Sequence, residues 1–548
     1  MFEITINNKK RSFDHKVKVI DLIEKHDYSI IACSVNNRLR ELSFEIAQES
    51  TVEFLGLANE ECMKIYEASL RYLFAMACTR LYPELNIKFN YHISRSIFAQ
   101  VINDDKKFTQ EMLDKIEVEM RNIVSKDLPL VRTVVSKEEA AIEYNKYHLY
   151  DKIDILQYRP EKTVHLYECD NYLNYMYSYM VPSTGYLTNF RLRLYTPGII
   201  MQYPRYEAGG NMIPFIDERT YGNTLKKANM WAKTCNAETI AAINSHIDSG
   251  VKTIEFVNMC ESKHNDNLCE LGELITKNIQ NVRLIAIAGP SSSGKTTFSN
   301  RLRIELMTRG VHPVKISIDD YYKNREELVV DEHGEVDLEH INAIDTVLFN
   351  EHLVKLINGE EVELPVFNFK KGQREPVGKK VRVATDSPII IEGIHALNEQ
   401  LTPSIPRDNK FLIYIAPHIQ TNLDNQNPLS TTQFRLLRRI VRDNKFRAFD
   451  AANTINIWDS VRRGEFRWIY GNQEGVDYVF NSELSYELCV LKKHALPLLK
   501  AIDSDSPEFI AANNLIKFLK YFKDIDDKLV PCNSLLREFI GDSCFQDV

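Results

Sequence analysis

The sequence lacks the features of membrane, secreted and metal-cluster proteins. Its 548 residues contain no apolar run long enough to cross a bilayer, and the first ten residues have no signal-peptide core. The ten cysteines are scattered, without a C-x-x-C pair or any metal-ligand spacing. We therefore expect a cytoplasmic protein with reduced thiols and no membrane partner.

A strong excess of positive charge is also missing. Lys and Arg number 68 against 76 Asp and Glu, and the resulting formal net charge of −8 argues against a general coat for nucleic acid. No internal repeat or low-complexity tract occurs. A composition of 44% hydrophobic and 26% charged residues is typical of globular proteins, and the length predicts about two to four domains.

One segment in the second half of the chain has the pattern of a phosphate-binding loop. Apolar residues from Val282 to Ala288 predict a buried strand, and the helical spacing from Thr297 to Arg309 predicts a helix. The G-x-x-x-x-G-K-T residues between them let backbone N–H groups converge on phosphates at a helix N-terminus. The alternative is a Gly/Ser-rich turn without a ligand. The predicted ATP-binding residues are Gly289, Pro290, Ser291, Ser292, Ser293, Gly294, Lys295, Thr296 and Thr297.

Two carboxylates follow predicted strands downstream of this loop. Asp319 comes after Val314 to Ile318, and Glu392 ends the apolar run from Pro388 to Ile391. Ligands of open α/β sheets collect at the carboxyl ends of strands, where an acid can accept a proton from an attacking hydroxyl or hold Mg²⁺ near Thr296. Each acid alone is equally consistent with a solvated or capping residue.

A basic helical stretch follows, with arginines at 435, 438, 439, 442 and 447. Arginines three and four residues apart share one helix face, and clustered guanidinium groups can neutralise a transferring phosphoryl group. A solvated basic face or a nucleic-acid patch is the alternative. The sequence has neither an N-K-x-D guanine reader nor helicase motifs, which favours a kinase over a switch GTPase or a motor.

This region resembles the uridine kinase and phosphoribulokinase family. The resemblance rests on the loop at 289–297, Asp319-Asp-Tyr-Tyr, Leu364-Pro-Val-Phe-Asn-Phe369, Ile391-Glu-Gly-Ile-His, Arg438-Arg-Ile-Val-Arg-Asp443 and Ser460-Val-Arg-Arg-Gly-Glu465. It implies an α/β P-loop fold, with a parallel sheet and helices on both faces. It also implies ATP- and Mg²⁺-dependent phosphorylation of a small-molecule hydroxyl, most simply the 5′ hydroxyl of uridine or cytidine.

The same resemblance implies roles for individual residues. Asp319 is the expected general base, and the expected partners on the phosphates are Lys295, Arg442 and Arg447. Mg²⁺ is expected at Thr296, Asp319 and Glu392. The expected contacts with the acceptor are Glu339 at the ribose hydroxyls, Phe367 and Phe369 at the base, and also Arg374 and Arg439.

Two positions depart from the family pattern. Gly372 stands where ordinary uridine kinases have a histidine that touches the pyrimidine, and Arg447-Ala448 replaces the usual Arg-Gly. Losing a buried polar group that reads the substrate weakens discrimination between acceptors. A kinase for a different hydroxylated metabolite is therefore the first alternative function.

The first 205 residues resemble the front of threonyl-tRNA synthetases. Residues 1–60 alternate as a small sheet does and resemble the β-grasp-like TGS domain. The following region resembles the second additional (editing) domain, through Leu81-Tyr-Pro and Val181-Pro-Ser-Thr-Gly-Tyr-Leu. Tyrosines at 172, 175, 177 and 179 predict either a half-buried aromatic strand or a surface that stacks RNA bases.

The metal and base positions of that editing family are altered here. Its H-x-x-x-H pair falls on Ala68 and Tyr72, and its C-x-x-x-H pair falls on Met176 and Met180. None of these side chains serves as a general base or a hard-metal ligand. We therefore predict that the editing chemistry is lost.

Together these patterns predict a multidomain chain. The predicted units are a TGS-like domain at 1–60, an α+β editing-like domain at 61–205, a connector at 206–280, a P-loop kinase domain at 281–500 and a C-terminal helical extension at 501–548. A second alternative, from another functional class, is an RNA-linked regulatory protein in which ATP binding only switches conformation. The sequence leaves the oligomeric state open.

Overall fold

The computed structural model describes residues 1–23, 27–102, 106–248, 250–328, 339–368, 371–384 and 387–545. Within these ranges, no helix has both the length and the apolar character needed to cross a membrane.

The N-terminal segment forms a five-stranded mixed sheet in the order β2-β1-β7-β4-β5, with β1 and β7 parallel. A helix is predicted from Val19 to His26, but the structure has one 3-10 turn at Val19–Leu22, and residues 24–26 lie outside the described part. The strands are β1 (Phe2–Ile6), β2 (Lys9–Phe13), β3 (Val17–Lys18), β4 (Ile30–Val35), β5 (Arg38–Arg40), β6 (Glu45–Ile46) and β7 (Ser50–Gly56).

The next region combines helices with two antiparallel sheets, in the orders β10-β11-β12 and β13-β14-β9-β8. Helix α1 begins after Asn59, whose side chain accepts hydrogen bonds from the first-turn amides of Glu61 and Cys62. The elements are α1 (Glu60–Leu81), β8 (Ile87–Ile93), β9 (Ser96–Val101), α2 (Gln110–Ser125), β10 (Val131–Ser136), α3 (Lys137–Lys146), α4 (Tyr150–Leu156), β11 (Thr163–Cys169), β12 (Tyr172–Asn174), β13 (Arg191–Tyr195) and β14 (Gly198–Gln202).

The altered editing positions of this region lie in its core. Ala68, Tyr72, Met176 and Met180 are each at most 1% exposed, and the Tyr72 hydroxyl donates to the Tyr172 carbonyl at 2.7 Å. The described residues contain no group of three His, Cys, Asp or Glu side chains that could hold a metal. These four positions therefore pack the interior of the region.

Three helices connect this region to the second half of the chain: α5 (Arg219–Thr234), α6 (Ile240–Ser245) and α7 (Val251–Lys277). Helix α7 packs along α8 (Lys295–Thr308), the helix that follows the phosphate-binding loop.

The second half is built on a five-stranded sheet in the order β16-β21-β15-β22-β25, in which every neighbouring pair is parallel. Ile285 and Ile287 of the central strand face one apolar core, and Leu284 and Ala286 face another. Both faces are therefore covered by helices, and the predicted α/β P-loop fold is confirmed. The strands are β15 (Leu284–Ala288), β16 (Val314–Ser317), β21 (Ile389–Glu392), β22 (Lys410–Ala416) and β25 (Tyr478–Asn481).

The remaining elements surround this sheet. Two small hairpins, β17–β20 and β18–β19, follow α9, and the last three helices close the fold. Their bounds are α9 (Thr346–Ile357), β17 (Glu361–Leu364), β18 (Phe367–Asn368), β19 (Gln373–Arg374), β20 (Lys379–Arg382), β23 (Asn422–Asp424), β24 (Asn427–Pro428), α10 (Thr431–Phe446), α11 (Ala451–Asn456), α12 (Trp458–Trp468), α13 (Glu487–Lys500), α14 (Phe509–Leu519) and α15 (Arg537–Ile540).

The two halves of the chain pack against each other. Tyr144 and Ile155, from the editing-like region, belong to the same apolar core as Phe298 beside the parallel sheet and Phe518 of α14. A buried ion pair, Lys152 Nζ to Asp424 Oδ1 at 3.0 Å, also joins the halves. The predicted boundaries at 60, 205, 280 and 500 stay predictions, because one apolar core continues across residue 60 and another continues across residues 205, 280 and 500.

Candidate active site

The phosphate-binding loop lies between β15 and α8, where its backbone needs two glycines. A Cβ at Gly289 would lie 2.0 Å from the Ile415 carbonyl oxygen, so only glycine allows this close approach. Gly294 has φ of 91°, and a Cβ there would also meet the Leu535 side chain at 2.3 Å. The loop therefore turns into the N-terminus of α8 as the sequence predicts.

The loop offers polar groups that fit a bound triphosphate. The hydroxyls of Ser292, Ser293 and Thr297 are buried without a hydrogen-bond partner in the described structure. Lys295 Nζ donates to the carbonyls of Gly289 and Pro290 at 3.1 and 3.2 Å, and burial lowers its pKa. Buried donors without partners are costly, so this cradle is suited to phosphate oxygens.

The two predicted carboxylates meet at one edge of the sheet. Ser317 and Glu392 are register partners at the ends of β16 and β21, and Asp319 follows two residues later. Glu392 Oε1 accepts hydrogen bonds at 3.4 Å from the hydroxyls of both Thr296 and Ser317. A hydroxyl beside a carboxylate supplies the oxygen donors that Mg²⁺ prefers, so these residues fit the expected metal.

Electrostatic coupling shows that Asp319 is close to the other predicted groups. Burial raises the pKa of Glu392 to about 7, and the charge of Asp319 adds to this rise. Burial likewise raises the pKa of Glu339 to about 7, again with a contribution from Asp319. Asp319 also acts on Lys295 and Arg447. The fold thus brings together residues from five separate segments of the sequence.

Three of the predicted arginines converge on one carboxylate. Asp443 lies 3.1 Å from Arg439 Nε, 2.7 Å from Arg442 Nη2 and 3.7 Å from Arg447 Nε. The neighbouring charge of Arg442, together with burial, lowers the pKa of Arg447 to about 10. Asp443 alone does not balance the three cations, although Glu339 also acts on Arg439 and Asp319 on Arg447, so this end of α10 is suited to an anion.

Ala448 follows these arginines where the family has glycine. Its φ is 58°, in the left-handed region that glycine adopts without cost. Arg447 caps α10, and Ala448 takes the next position, where helices commonly end in this conformation. The substitution therefore keeps the backbone path.

Arg438 does not join the phosphate-facing cluster that the helical pattern predicts. Its guanidinium is fully buried, pairs with the fully buried Glu487 through Nη2 at 2.7 Å, and donates to the carbonyls of Ser292 and Ser293 at 3.3 and 3.4 Å. The helix directs Arg438 toward the back of the phosphate-binding loop. The loop exposes carbonyl groups on that side, whereas its amides point to the front. Arg438 therefore supports the loop from behind.

Two of the predicted acceptor residues, Glu339 and Phe367, have defined neighbours in the structure. Glu339 packs against Gly464, where an added Cβ would lie 2.4 Å from the Glu339 Cβ. The Phe367 ring lies 5.7 Å from that of Tyr322, and its amide donates to Asp320 at 3.2 Å. Phe369 lies outside the described residues. Glu339 and Phe367 thus supply a carboxyl group and an aromatic wall.

Arg374 and Gly372 have structural roles in the same loop region. The Arg374 guanidinium donates to the carbonyls of Tyr321 and Tyr322, both at 3.0 Å, and lies 3.3 Å from Asp345. Arg374 therefore fixes the backbone at Tyr321 and Tyr322, just after Asp319. Gly372 has φ of 68° and its amide donates to the Asn368 carbonyl at 2.7 Å, so it closes a tight turn.

Two further acids at the site are not predicted from the sequence. Glu465 accepts a hydrogen bond from the Ser291 amide at 3.0 Å and pairs with Arg435 and Arg462, both buried. Glu538 of α15 accepts one from the Thr297 amide at 2.9 Å, at the N-terminus of α8. The spacing of Arg462 and Glu465 on one helix was the available signal for Glu465. No local pattern marks Glu538.

Glu339 gives the site a testable pH dependence. The pKa of Glu339 is about 7 in the folded protein, whereas that of an ordinary glutamate side chain is 4.5. As pH rises, the unfolded chain therefore loses this proton at a lower pH than the folded protein does. The contribution of Glu339 to the free energy of unfolding is therefore fully present below pH 4.5. It declines by about 2 kcal/mol as pH rises to 7, after allowance for the partial exposure of this side chain.

We expect Glu339→Gln to flatten that part of the decline in scanning calorimetry between pH 4.5 and 8. The exposed Glu351→Gln serves as the control, and equal pH slopes for the wild type and Glu339→Gln would contradict the prediction.

Known proteins resemble the two halves of the chain separately. The model of the phosphoribulokinase/uridine kinase family matches residues 284–482. The uridine kinase of Staphylococcus aureus is 32% identical over 180 residues, which cover 33% of this chain and 77% of that protein. A solved structure of a possible uridine kinase from Bacillus stearothermophilus aligns at 18% identity with a TM-score of 0.26, covering 40% of this chain and 98% of the other.

The N-terminal region matches a different group. The threonine–tRNA ligase of Halalkalibacterium halodurans is 29% identical over 203 residues, or 36% of this chain and 30% of that protein. The chain thus spans about a third of the length of the threonine–tRNA ligases that it matches. The expected combination of a synthetase-like front with a kinase-like second half is confirmed.

Proposed function

Because the chain belongs to the phosphoribulokinase and uridine kinase family, we propose that it is an ATP- and Mg²⁺-dependent kinase for the 5′ hydroxyl of a nucleoside such as uridine or cytidine. The convergence of Asp319 with Lys295, Glu392 and Glu339 at the carboxyl edge of the sheet carries this proposal. A phosphate cradle, a metal-binding oxygen pair and an acceptor-side carboxyl are the parts that such a reaction needs.

The loop residues hold the donor in this proposal. Loop amides such as those of Lys295 and Thr296, together with the Lys295 ammonium, bind the phosphates, and Thr296 and Glu392 would hold the metal. ATP bound with Mg²⁺ supplies the phosphoryl group and neutralises part of its charge. The arginines around Asp443 add positive charge on the opposite side, in a partly buried site where such charge is effective.

Asp319 performs the proton transfer. Its carboxylate accepts the proton of the acceptor hydroxyl as the oxygen attacks, which makes the oxygen a better nucleophile. Glu339, with a pKa of about 7, is protonated in part at neutral pH and hydrogen-bonds a ribose hydroxyl. Phe367 provides an apolar wall for the base. These residues thus orient the acceptor toward the donor.

A screen with the purified full chain tests this function. ATP consumption with Mg²⁺ is measured against nucleosides, sugars and small alcohols, and the products are identified by mass. We expect a monophosphate of uridine or cytidine, at least about tenfold faster than any other product. The absence of any phosphorylated product while ATP still binds would reject the kinase and favour an RNA-linked regulatory role.

A different acceptor is the second candidate, and Gly372 motivates it. Gly372 itself has no side chain that could read a pyrimidine edge. In the same screen, faster phosphorylation of a non-pyrimidine alcohol would keep the roles of Asp319 and Lys295 and replace the substrate.

A further inference from the structure

A separate cavity has none of the loop residues 289–297 and neither Asp319 nor Glu392 in its lining. It has a volume of about 680 Å³, in the range of small-molecule pockets, and opens between the editing-like region, α14 and the segment that leads into α10. Its walls include nine tyrosines and basic residues spread around the lining, and four of these basic residues, Arg132, Arg159, His165 and Lys517, lie near one another at one end. We call this end the cationic corner and define it by Arg132, Arg159, His165, Tyr177, Tyr179 and Lys517.

The corner is assembled from parts distant in sequence. Arg132 of β10 faces Tyr167 in register, and His165 faces Val134, so Arg132 and His165 are diagonal neighbours on one face of the hairpin. Lys517 approaches from α14. The Tyr179 ring lies close to both cations, 5.5 Å from Arg132 Cζ and 5.7 Å from Lys517 Nζ. The packing of α14 on the editing-like region therefore forces positive groups together.

Several polar groups of the corner have no partner within the described structure. Arg132 Nε, His165 Nδ1 and the Tyr177 hydroxyl are buried without a hydrogen bond. The Lys517 ammonium likewise forms no hydrogen bond or ion pair with the residues that the structure describes, apart from its ring contact. Buried polar groups without partners are costly, so a cavity wall that keeps three of them beside the half-buried Lys517 ammonium is suited to a ligand that satisfies them.

The acids near the corner are already engaged. Glu41 lies 3.5 Å from Arg132 and also accepts the Tyr167 hydroxyl, while Glu61 is held at 2.9 Å by Lys64 and at 2.6 Å by Asn514. Glu161 is 4.0 Å from Arg159 and 3.8 Å from Lys520. Glu41 and Glu161 each pair with a corner arginine, whereas the Lys517 ammonium has no ion pair within the described residues.

The titration of His165 agrees with this geometry. Burial lowers its pKa to about 3, and the charges of Arg132, Arg159 and Lys517 contribute in the same direction. The pKa of Lys517 is also lowered, first by burial and then by Arg40 and Arg132, against the opposing effect of Glu61. An anion bound among these groups would relieve the repulsion.

From this arrangement we propose that the cationic corner is a binding site for a nucleoside phosphate, separate from the phosphate-binding loop. Arg132, Lys517 and the Tyr177 hydroxyl would hold the phosphate, since charge-assisted hydrogen bonds to phosphate are strong. The tyrosine side chains that line the cavity offer aromatic surface for the base. The enclosing walls from separate segments favour a mononucleotide over a nucleic-acid strand.

Binding to a chain with an inactive loop tests the proposal. Binding of UTP and UMP to the full-length Lys295→Ala protein is measured by equilibrium dialysis. Uridine, which lacks the phosphates, and pyrophosphate, which lacks the nucleoside, are measured in the same way. We expect UTP to bind, uridine to bind at least about tenfold more weakly, and Arg132→Gln or Lys517→Met in the same background to weaken UTP about tenfold or more. Lys500→Met, an exposed lysine at the end of α13, is the matched control and should change binding less than about twofold.

Each other outcome overturns part or all of the proposal. No UTP binding, or binding unaffected by both corner variants, would reject the site. If pyrophosphate binds as tightly as UTP, the site recognises the phosphates and not the nucleoside. If a single-stranded RNA binds about a hundredfold tighter than UTP, the ligand is RNA and not a mononucleotide. Photo-crosslinking of 4-thio-UTP to the Lys295→Ala protein avoids folding effects of the corner variants. Attachment to peptides with Tyr177 or Lys517 supports the site, and attachment confined to residues 289–297 contradicts it.

Discussion

Replacing Asp319 by asparagine is expected to lower kcat about a thousandfold while changing ATP binding less than about twofold. The amide keeps the size of the side chain but cannot accept the proton of the acceptor hydroxyl. Asp319 follows β16, whose end is in register with that of β21, so the sheet itself fixes its distance from Glu392 and the loop. A loss confined to kcat is therefore the signature of a proton acceptor.

The neighbouring Asp320 provides the matched control for this experiment. It accepts the Phe367 amide at 3.2 Å and burial raises its pKa, so its contacts lie on the acceptor side. Asp320→Asn should raise KM for the acceptor and leave kcat within about threefold. Folding of both variants is checked by calorimetry. If Asp319→Asn folds, binds ATP and keeps kcat within about threefold of the wild type, Asp319 is not the base.

The parts of this site that the sequence predicts are those built by short segments. The strand, loop and helix around Gly294 are continuous in the chain, and glycines are required there by the backbone itself. Asp319 and Glu392 are predictable because parallel strands carry their C-terminal ends to one edge. Local geometry and sheet topology are sufficient in these cases.

The parts that escape prediction depend on partners far away in the sequence. Glu538 reaches the Thr297 amide across 241 positions, and Glu487 meets Arg438 across 49. A helical pattern shows that arginines share a face, but it does not show which side faces the core. Tertiary packing decides whether a guanidinium faces solvent, a phosphate or a buried acid.

The N-terminal region illustrates the same limit. The four altered editing positions are recognised from the resemblance to the synthetase editing domain, but their burial follows from the packing of the core that they share. The cationic corner has no sequence signature, because Arg132 and Lys517 are 385 positions apart by their residue numbers. Only the fold brings both of them close to one tyrosine ring, that of Tyr179.

Arg438→Met should destabilise the protein by about 3–5 kcal/mol, because it leaves Glu487 buried, charged and unpaired. The variant also removes the donors to the Ser292 and Ser293 carbonyls, so we expect ATP affinity to fall along with stability. The measurement is the free energy of unfolding by denaturant, with ATP binding measured at a temperature where the variant is folded.

Two further variants separate charge from packing. Combining Arg438→Met with Glu487→Leu removes both charges, and it should recover most of the lost stability but not the contacts to the loop. Arg463→Met changes an exposed arginine on α12 and should cost less than about 0.5 kcal/mol. If the double variant is as unstable as Arg438→Met, packing rather than the unpaired acid is the cause. If Arg438→Met is as stable as Arg463→Met, the buried pair does not support the loop, and the inward orientation of Arg438 has no energetic role.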